Sequence, residues 1–175
     1  MKLTDSRDIR ATPQAVWAAI LDAQVLKDCI PGCESMVGSV GAGYQAGVRQ
    51  KIGPVSATFA GVVTLSDIVA GRSVRSSGEG KGGVAGYARG AASVTLEPMP
   101  GGTRLGHDVE ASVGGKIARL GSRIIDGVAK RLADEFFARF QARVEGPVVE
   151  EPVVEDTVAV SEQKRQGWFK RLIGA

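Results

Sequence analysis

Ile117-Ala118-Arg119-Leu120-Gly121-Ser122-Arg123-Ile124-Ile125-Asp126-Gly127-Val128-Ala129-Lys130-Arg131-Leu132-Ala133-Asp134-Glu135-Phe136-Phe137-Ala138-Arg139-Phe140-Gln141-Ala142-Arg143-Val144 is the stretch on which the fold turns. Ile117, Leu120, Ile124, Val128, Leu132, Phe136, Phe140 and Val144 recur every three or four residues. That spacing predicts one long helix from Lys116 to Val144 with a single buried stripe. At 1.5 Å per residue such a helix runs roughly 43 Å, enough to cross a broad sheet. Gly121 and Gly127 within it cost about 1 kcal/mol each against alanine, so they read as places that permit close approach or leave room. Gly146-Pro147 ends the helix.

Upstream, from Cys33 to Val113, the chain is strand-rich and punctuated by glycine. The alternation predicts strands over Glu34–Val40, Tyr44–Ile52, Val55–Val69, Ser73–Glu79, Val84–Leu96 and Thr103–Val113. The turns between them are short (Gly41-Ala42-Gly43, Gly53-Pro54, Ala70-Gly71, Gly80-Lys81-Gly82-Gly83, Pro98 to Gly102), so consecutive strands should pair as an antiparallel meander. Leu3–Ala11 is compatible with a first strand. Thr12-Pro13 starts a helix well, since threonine caps and proline suits the first turn. Asp22 to Cys29 reads as a second short helix, stopped by Pro31-Gly32.

The order is strand, two helices, about six strands and a long helix. The fold class is α+β: a curved antiparallel sheet of about seven strands around a long C-terminal helix, with a flexible C-terminal tail. Sheet and helix cannot touch everywhere, and the gap is a cavity. Val84, Gly86, Ala88, Gly90 and Ala92 share one strand face and are nearly all small, so that face leaves the interior unfilled if it looks at the helix.

The chain has 175 residues and a formal net charge of +3. That length suits one domain, residues 1–146, plus a tail. The small net charge, and the lack of a basic stripe interleaved with aromatics, argue against a nucleic-acid binder. The 24 glycines are about twice the usual ~7% share, which the turns absorb. The N-terminus lacks the apolar run of a signal peptide. No stretch approaches the ~18 apolar residues of a membrane span. The expectation is a cytosolic protein with free thiols.

Residues 147–163 repeat Pro-Val-Val-Glu and carry two prolines and five carboxylates, a composition that predicts a disordered acidic linker. Residues 164–175 form a basic amphipathic foot. Trp168, Phe169, Leu172 and Ile173 would share one helical face, flanked by Lys164, Arg165, Lys170 and Arg171. Full burial of the four apolar groups brings at most ~6–12 kcal/mol. The four cations add about 1 kcal/mol each near anionic lipid. Ordering the segment costs ~1–2 kcal/mol per residue. The balance predicts reversible, peripheral attachment to the inner face of the cell membrane; docking on a protein groove is the alternative.

Other motifs are weaker. Gly78-Glu79-Gly80-Lys81-Gly82-Gly83 matches G-x-G-x-x-G, but a strand follows where a dinucleotide site needs a helix N-terminus, so it reads as a turn. Cys29 and Cys33 flank a tight turn and lack the second pair of soft ligands a metal would need. They read as buried structural thiols, with a regulated disulfide as the alternative. His107, the one histidine, falls on the apolar face of its strand with Leu105 and Val109. It is either a core histidine satisfied by backbone or a polar anchor in the cavity for a ligand carbonyl. No pair of carboxylates demands acid–base chemistry, and no metal site is expected.

Several stretches together resemble the family of the carbon monoxide dehydrogenase G-subunit, part of the START-like (SRPBCC), helix-grip group of lipid- and polyketide-binding domains. They are Ala15-Val16-Trp17, Leu26-Lys27-Asp28-Cys29-Ile30-Pro31-Gly32-Cys33-Glu34, Ile52-Gly53-Pro54-Val55-Ser56-Ala57, Gly86-Tyr87-Ala88-Arg89-Gly90 and Val113-Gly114-Gly115-Lys116-Ile117-Ala118-Arg119-Leu120-Gly121-Ser122-Arg123. The resemblance covers nearly all of residues 1–145. It implies a non-catalytic accessory protein of a carbon monoxide dehydrogenase-type molybdenum hydroxylase, one that links the enzyme to the cytoplasmic membrane. It also implies carriage of a hydrophobic small molecule, with an isoprenoid quinone the natural candidate, and no covalently bound cofactor. It carries no catalytic residues. By parity the cavity should be lined by Phe59, Val63, Ala88, Gly90, Ala92, Leu105, His107, Val109, Leu120, Ile124 and Val128. The alternatives are an assembly factor that needs no ligand, and a cyclase or hydratase of the same fold using His107 with Tyr44 or Tyr87.

Overall fold

A computed structural model describes residues 1–147. Seven strands form one antiparallel sheet: β1 (Lys2–Ile9), β2 (Cys33–Ser39), β3 (Gly43–Ile52), β4 (Val55–Val69), β5 (Ser73–Lys81), β6 (Tyr87–Met99) and β7 (Gly102–Gly114). Their order is β1-β7-β6-β5-β4-β3-β2. β2 to β7 pair with their sequence neighbours, as short connections require. β1 instead crosses the chain to close the far edge on β7, with Leu3 opposite Val109 and Asp5 opposite His107. Register shifts at Cys33/Ser35 and Ser66/Val69 bend the sheet.

Two short helices bridge β1 and β2. In α1 (Pro13–Leu21), Thr12 caps the first turn by accepting from the Ala15 N–H at 3.2 Å. In α2 (Ala23–Cys29), the Asp22 carboxylate accepts from the N–H groups of Gln24 and Val25. These caps satisfy donors that a helix start otherwise leaves open. The third helix, α3 (Ser122–Glu145), lies over the concave face of the sheet. With the sheet it makes the helix-grip arrangement.

Two expectations are corrected. The long helix starts at Ser122, not Lys116: Ile117–Leu120 forms a separate 3-10 turn. Gly121, at φ +88, sits between them in a conformation that breaks a right-handed helix and that glycine tolerates best. β6 starts at Tyr87, not Val84: Gly83–Ala85 is another 3-10 turn, and Val84 is 93% exposed. The remaining elements fall within a few residues of expectation.

The interior holds two separate apolar clusters. The larger joins Ile9, Val16, Cys29, Val74, Val94, Leu96, Leu105, Phe137 and Phe140, with Phe136 and Val144 packed against it. The smaller joins Phe59, Ala85 and Ile117, with Ile52, Val55, Val113 and Leu120 packed against it. The first sits under the C-terminal half of α3, the second beneath the two 3-10 turns. The backbone closes tightly at the second: a Cβ on Gly86 would lie 2.0 Å from the Gly114 carbonyl oxygen. No helix among the described residues is long and apolar enough to cross a membrane. Most of the acidic linker and all of the basic foot lie outside the described residues.

Candidate functional site

Between the two clusters the sheet and α3 separate, and the space is a cavity of about 500 Å³. Every strand contributes to its wall: Leu3, Met36, Tyr44, Val63, Val74, Ala92 and Val109 come from β1 to β7 in turn. Ile20 and Leu21 of α1 and Leu26 of α2 cover one side, and Ala129, Leu132, Ala133 and Phe136 of α3 form the roof. The size lies in the range of small-molecule sites. Two alanines on the roof keep it away from the floor, where a larger pair would fill the gap.

The lining is almost wholly apolar. Its polar side chains are Tyr44, Gln50, Ser76 and His107. Three of them are committed. Tyr44 donates its hydroxyl to the Leu21 carbonyl at 2.6 Å, Gln50 Nε2 donates to the Pro31 carbonyl, and Ser76 Oγ donates to the Ala92 carbonyl at 3.3 Å. Burial, with Asp22 nearby, pushes the Tyr44 phenol up. His107 differs. It is 5% exposed and stacks on Phe137, with ring centroids 4.0 Å apart. Its Nδ1 is buried without a partner. Burial lowers its pKa; Asp5 opposes that shift, Arg7 adds to it, and Asp108 and Asp134 oppose it. The shift favours the neutral form of the ring. The backbone-satisfied reading of His107 is corrected: no carbonyl reaches its Nδ1.

The expected lining divides. Val63, Ala92, His107 and Val109 do face the cavity. Leu105 is fully buried in the larger cluster. Phe59 belongs to the smaller cluster, and Leu120 packs against it. Ala88 and Gly90 lie on the same β6 face as Ala92 but nearer the smaller cluster, where Ala88 pairs with Val113. Ile124 is 42% exposed at the start of α3, and Val128 is half-buried outside the lining. Alternation identifies the inner face correctly but does not say how far along a strand the packed ends stop. Residues that this reading missed come largely from the neighbouring helices and β3, including Ile20, Leu21, Ile30 and Val48.

Cys29 and Cys33 are both free thiols. Cys29 is buried in the larger cluster; Cys33 is half-buried and donates to the Ser35 carbonyl. Burial raises both thiol pKa values, which favours unreactive thiols. The Gly78–Gly83 stretch runs from β5 into a 3-10 turn and then β6, with no α-helix to meet a phosphate.

Residues 6–145 match the model of the carbon monoxide dehydrogenase G-subunit (CoxG) family. The chain belongs to this family. The match spans both clusters and all of the cavity wall except Met1 and Leu3. A conserved protein from Geobacillus kaustophilus superposes with a TM-score of 0.75 at 28% identity, covering 82% of this chain and 95% of that one. A protein from Chromobacterium violaceum gives 0.64 at 18% identity, over 83% and 99% of the two chains. One from Thermus thermophilus gives 0.61 at 17%, over 82% and 97%. The last two show the fold alone. No curated protein matches the sequence.

Proposed function

We propose that this CoxG family member is a non-catalytic accessory protein of a carbon monoxide dehydrogenase-type molybdenum hydroxylase. Its cavity carries a hydrophobic small molecule, with an isoprenoid quinone the leading candidate. Its basic C-terminal foot brings the domain to the inner face of the cytoplasmic membrane. The observation that carries the reading is the hollow itself: about 500 Å³ walled by aliphatic and aromatic side chains between two closed clusters. An apolar hollow of this size favours a guest whose own surface is apolar. The dehydrogenase partner follows from the family's name, and the membrane from the composition of residues 164–175.

Binding is favoured over catalysis by what faces the guest. Among the described residues the lining holds two titratable side chains, His107 and Tyr44, and the Tyr44 hydroxyl is taken by the Leu21 carbonyl. A cyclase or hydratase needs acid and base groups converging on the substrate. An assembly factor would need no hollow.

Native mass spectrometry of the full chain, isolated together with its host's membrane lipids, tests carriage. The expected result is a bound lipid-sized adduct; protein that is empty in every preparation overturns it. Deleting residues 164–175 should shift the protein from the membrane fraction to the soluble fraction. Retention at the membrane without the foot would overturn the tether.

A further inference from the structure

We propose that His107 is the single polar recognition point of the cavity, and that the guest is an uncharged amphiphile presenting one carbonyl or hydroxyl oxygen to the imidazole. The rest of the guest lies against apolar walls. This rests on the carrier reading above and names the class of molecule carried.

The argument is an accounting of hydrogen bonds. A buried polar group is normally partnered, because leaving it unpaired costs its desolvation. Of the polar side chains that line the cavity, Tyr44, Gln50 and Ser76 each donate to a backbone carbonyl. Each therefore already has a protein partner. His107 makes no such bond among the described residues: Nδ1 is buried without a partner, and Nε2, which is not among the buried atoms, is the ring nitrogen a guest can reach. Two buried side-chain atoms lack partners among the described residues, Arg7 Nε and His107 Nδ1, and only His107 belongs to the cavity wall.

A neutral imidazole offers one N–H donor and one acceptor lone pair, so it can receive a hydroxyl or donate to a carbonyl. The stack on Phe137 fixes its plane. Phe137 is itself held edge-on by Phe136 at 4.9 Å, so the polar point is rigid. Charge is excluded by the same wall. No lysine, arginine, aspartate or glutamate side chain lines the cavity among the described residues. Arg7, a cation near His107, stands 3.9 Å from Asp134 and over the Phe137 ring. A carboxylate or an ammonium taken inside would be desolvated with no charged side chain on the wall to balance it, which is strongly unfavourable. A plain hydrocarbon would fit the walls and leave His107 unpaired.

Four probes of one carbon skeleton read this directly: farnesol, farnesal, farnesene and farnesoic acid. Their dissociation constants for the full chain are measured by native mass spectrometry and dye displacement at about pH 8, where a free carboxyl is ionised. The alcohol and aldehyde should bind about fivefold to tenfold more tightly than the hydrocarbon, and the acid should bind most weakly. His107→Phe, which keeps a flat ring on Phe137, should erase the preference for oxygen, and His107→Gln should keep part of it. If a variant fails to fold, the wild-type series decides alone. Hydrocarbon binding equal to alcohol binding, or tightest binding by the acid, overturns the inference while carriage stands. Failure of all four to bind overturns both.

Discussion

From Phe136 to Val144, α3 is packed: Phe137 and Phe140 are buried against β5, β6 and β7, and Phe136 and Val144 close around them. From Ser122 to Ala133 the same helix meets the β3–β4 turn near Gly53 at its start and then spans the hollow. Ile124 is exposed, a side chain at Gly127 would meet nothing within 4 Å, and Ala129 and Ala133 face a hollow. One helix thus serves as plug at one end and roof at the other. The switch is made by side-chain size: three phenylalanines within five residues (Phe136, Phe137 and Phe140), preceded on the same helix by Gly127, Ala129 and Ala133. Such a helix need not pack along its whole length to be stable, because the C-terminal plug supplies the burial that propensity alone does not.

This contrast can be broken experimentally. Phe140→Ala should cost about 3–5 kcal/mol in chemical denaturation, and Ile124→Ala should stay within about 0.5 kcal/mol. Similar costs at the two positions would mean that α3 packs evenly and that the roof is not a roof. Adding volume gives the second test. Ala85→Phe, inside the smaller cluster, should lose about 1–3 kcal/mol through overpacking. Ala133→Phe should fold with nearly wild-type stability and lose the co-isolated guest. A large destabilisation by Ala133→Phe would show that the space is already occupied by the protein itself.

Smaller effects sharpen the picture. Gly127→Ala should stabilise the helix by up to about 1 kcal/mol in thermal or chemical melts, since the new methyl meets open space. The smallest effect is a pH dependence. Burial holds the folded-state pKa of His107 below its ordinary value of 6.5, so the unfolded chain takes up that proton first. The His107 contribution to stability is whole above pH 6.5 and falls as pH drops through that value. His107→Gln should flatten this part of the stability–pH curve; an unchanged slope would show that the imidazole is solvated in the folded state.

Much of the fold was legible in the residues. Glycine-marked turns and alternation placed β2 to β7 and their meander, and Thr12-Pro13 placed α1. The pairing of β1 with β7 joins residues about a hundred apart and left no local mark. Periodicity alone puts the start of α3 too early, because Ile117 and Leu120 keep helical spacing with Ile124 while Gly121 breaks the backbone between Leu120 and Ser122; side-chain periodicity does not report φ. The cavity was half legible. Parity put Val63, Ala92, His107 and Val109 on the inner face, but it also put Phe59 and Leu105 there, and these fill the ends. Which inward residues plug and which line depends on where two clusters stop along curved strands, a property of three-dimensional packing. His107 shows the same limit: its face was readable, its lack of a partner was not.

The central claim is a hollow held open between two packed ends, and an experimental structure of the full chain isolated with its host's lipids tests it most directly. The account predicts continuous non-protein density between the Ala129–Ala133 roof and the β4–β7 floor, with an oxygen within hydrogen-bond distance of His107. A structure in which Leu132, Phe136 and the strand side chains close over that space, leaving no room for a guest, would contradict it.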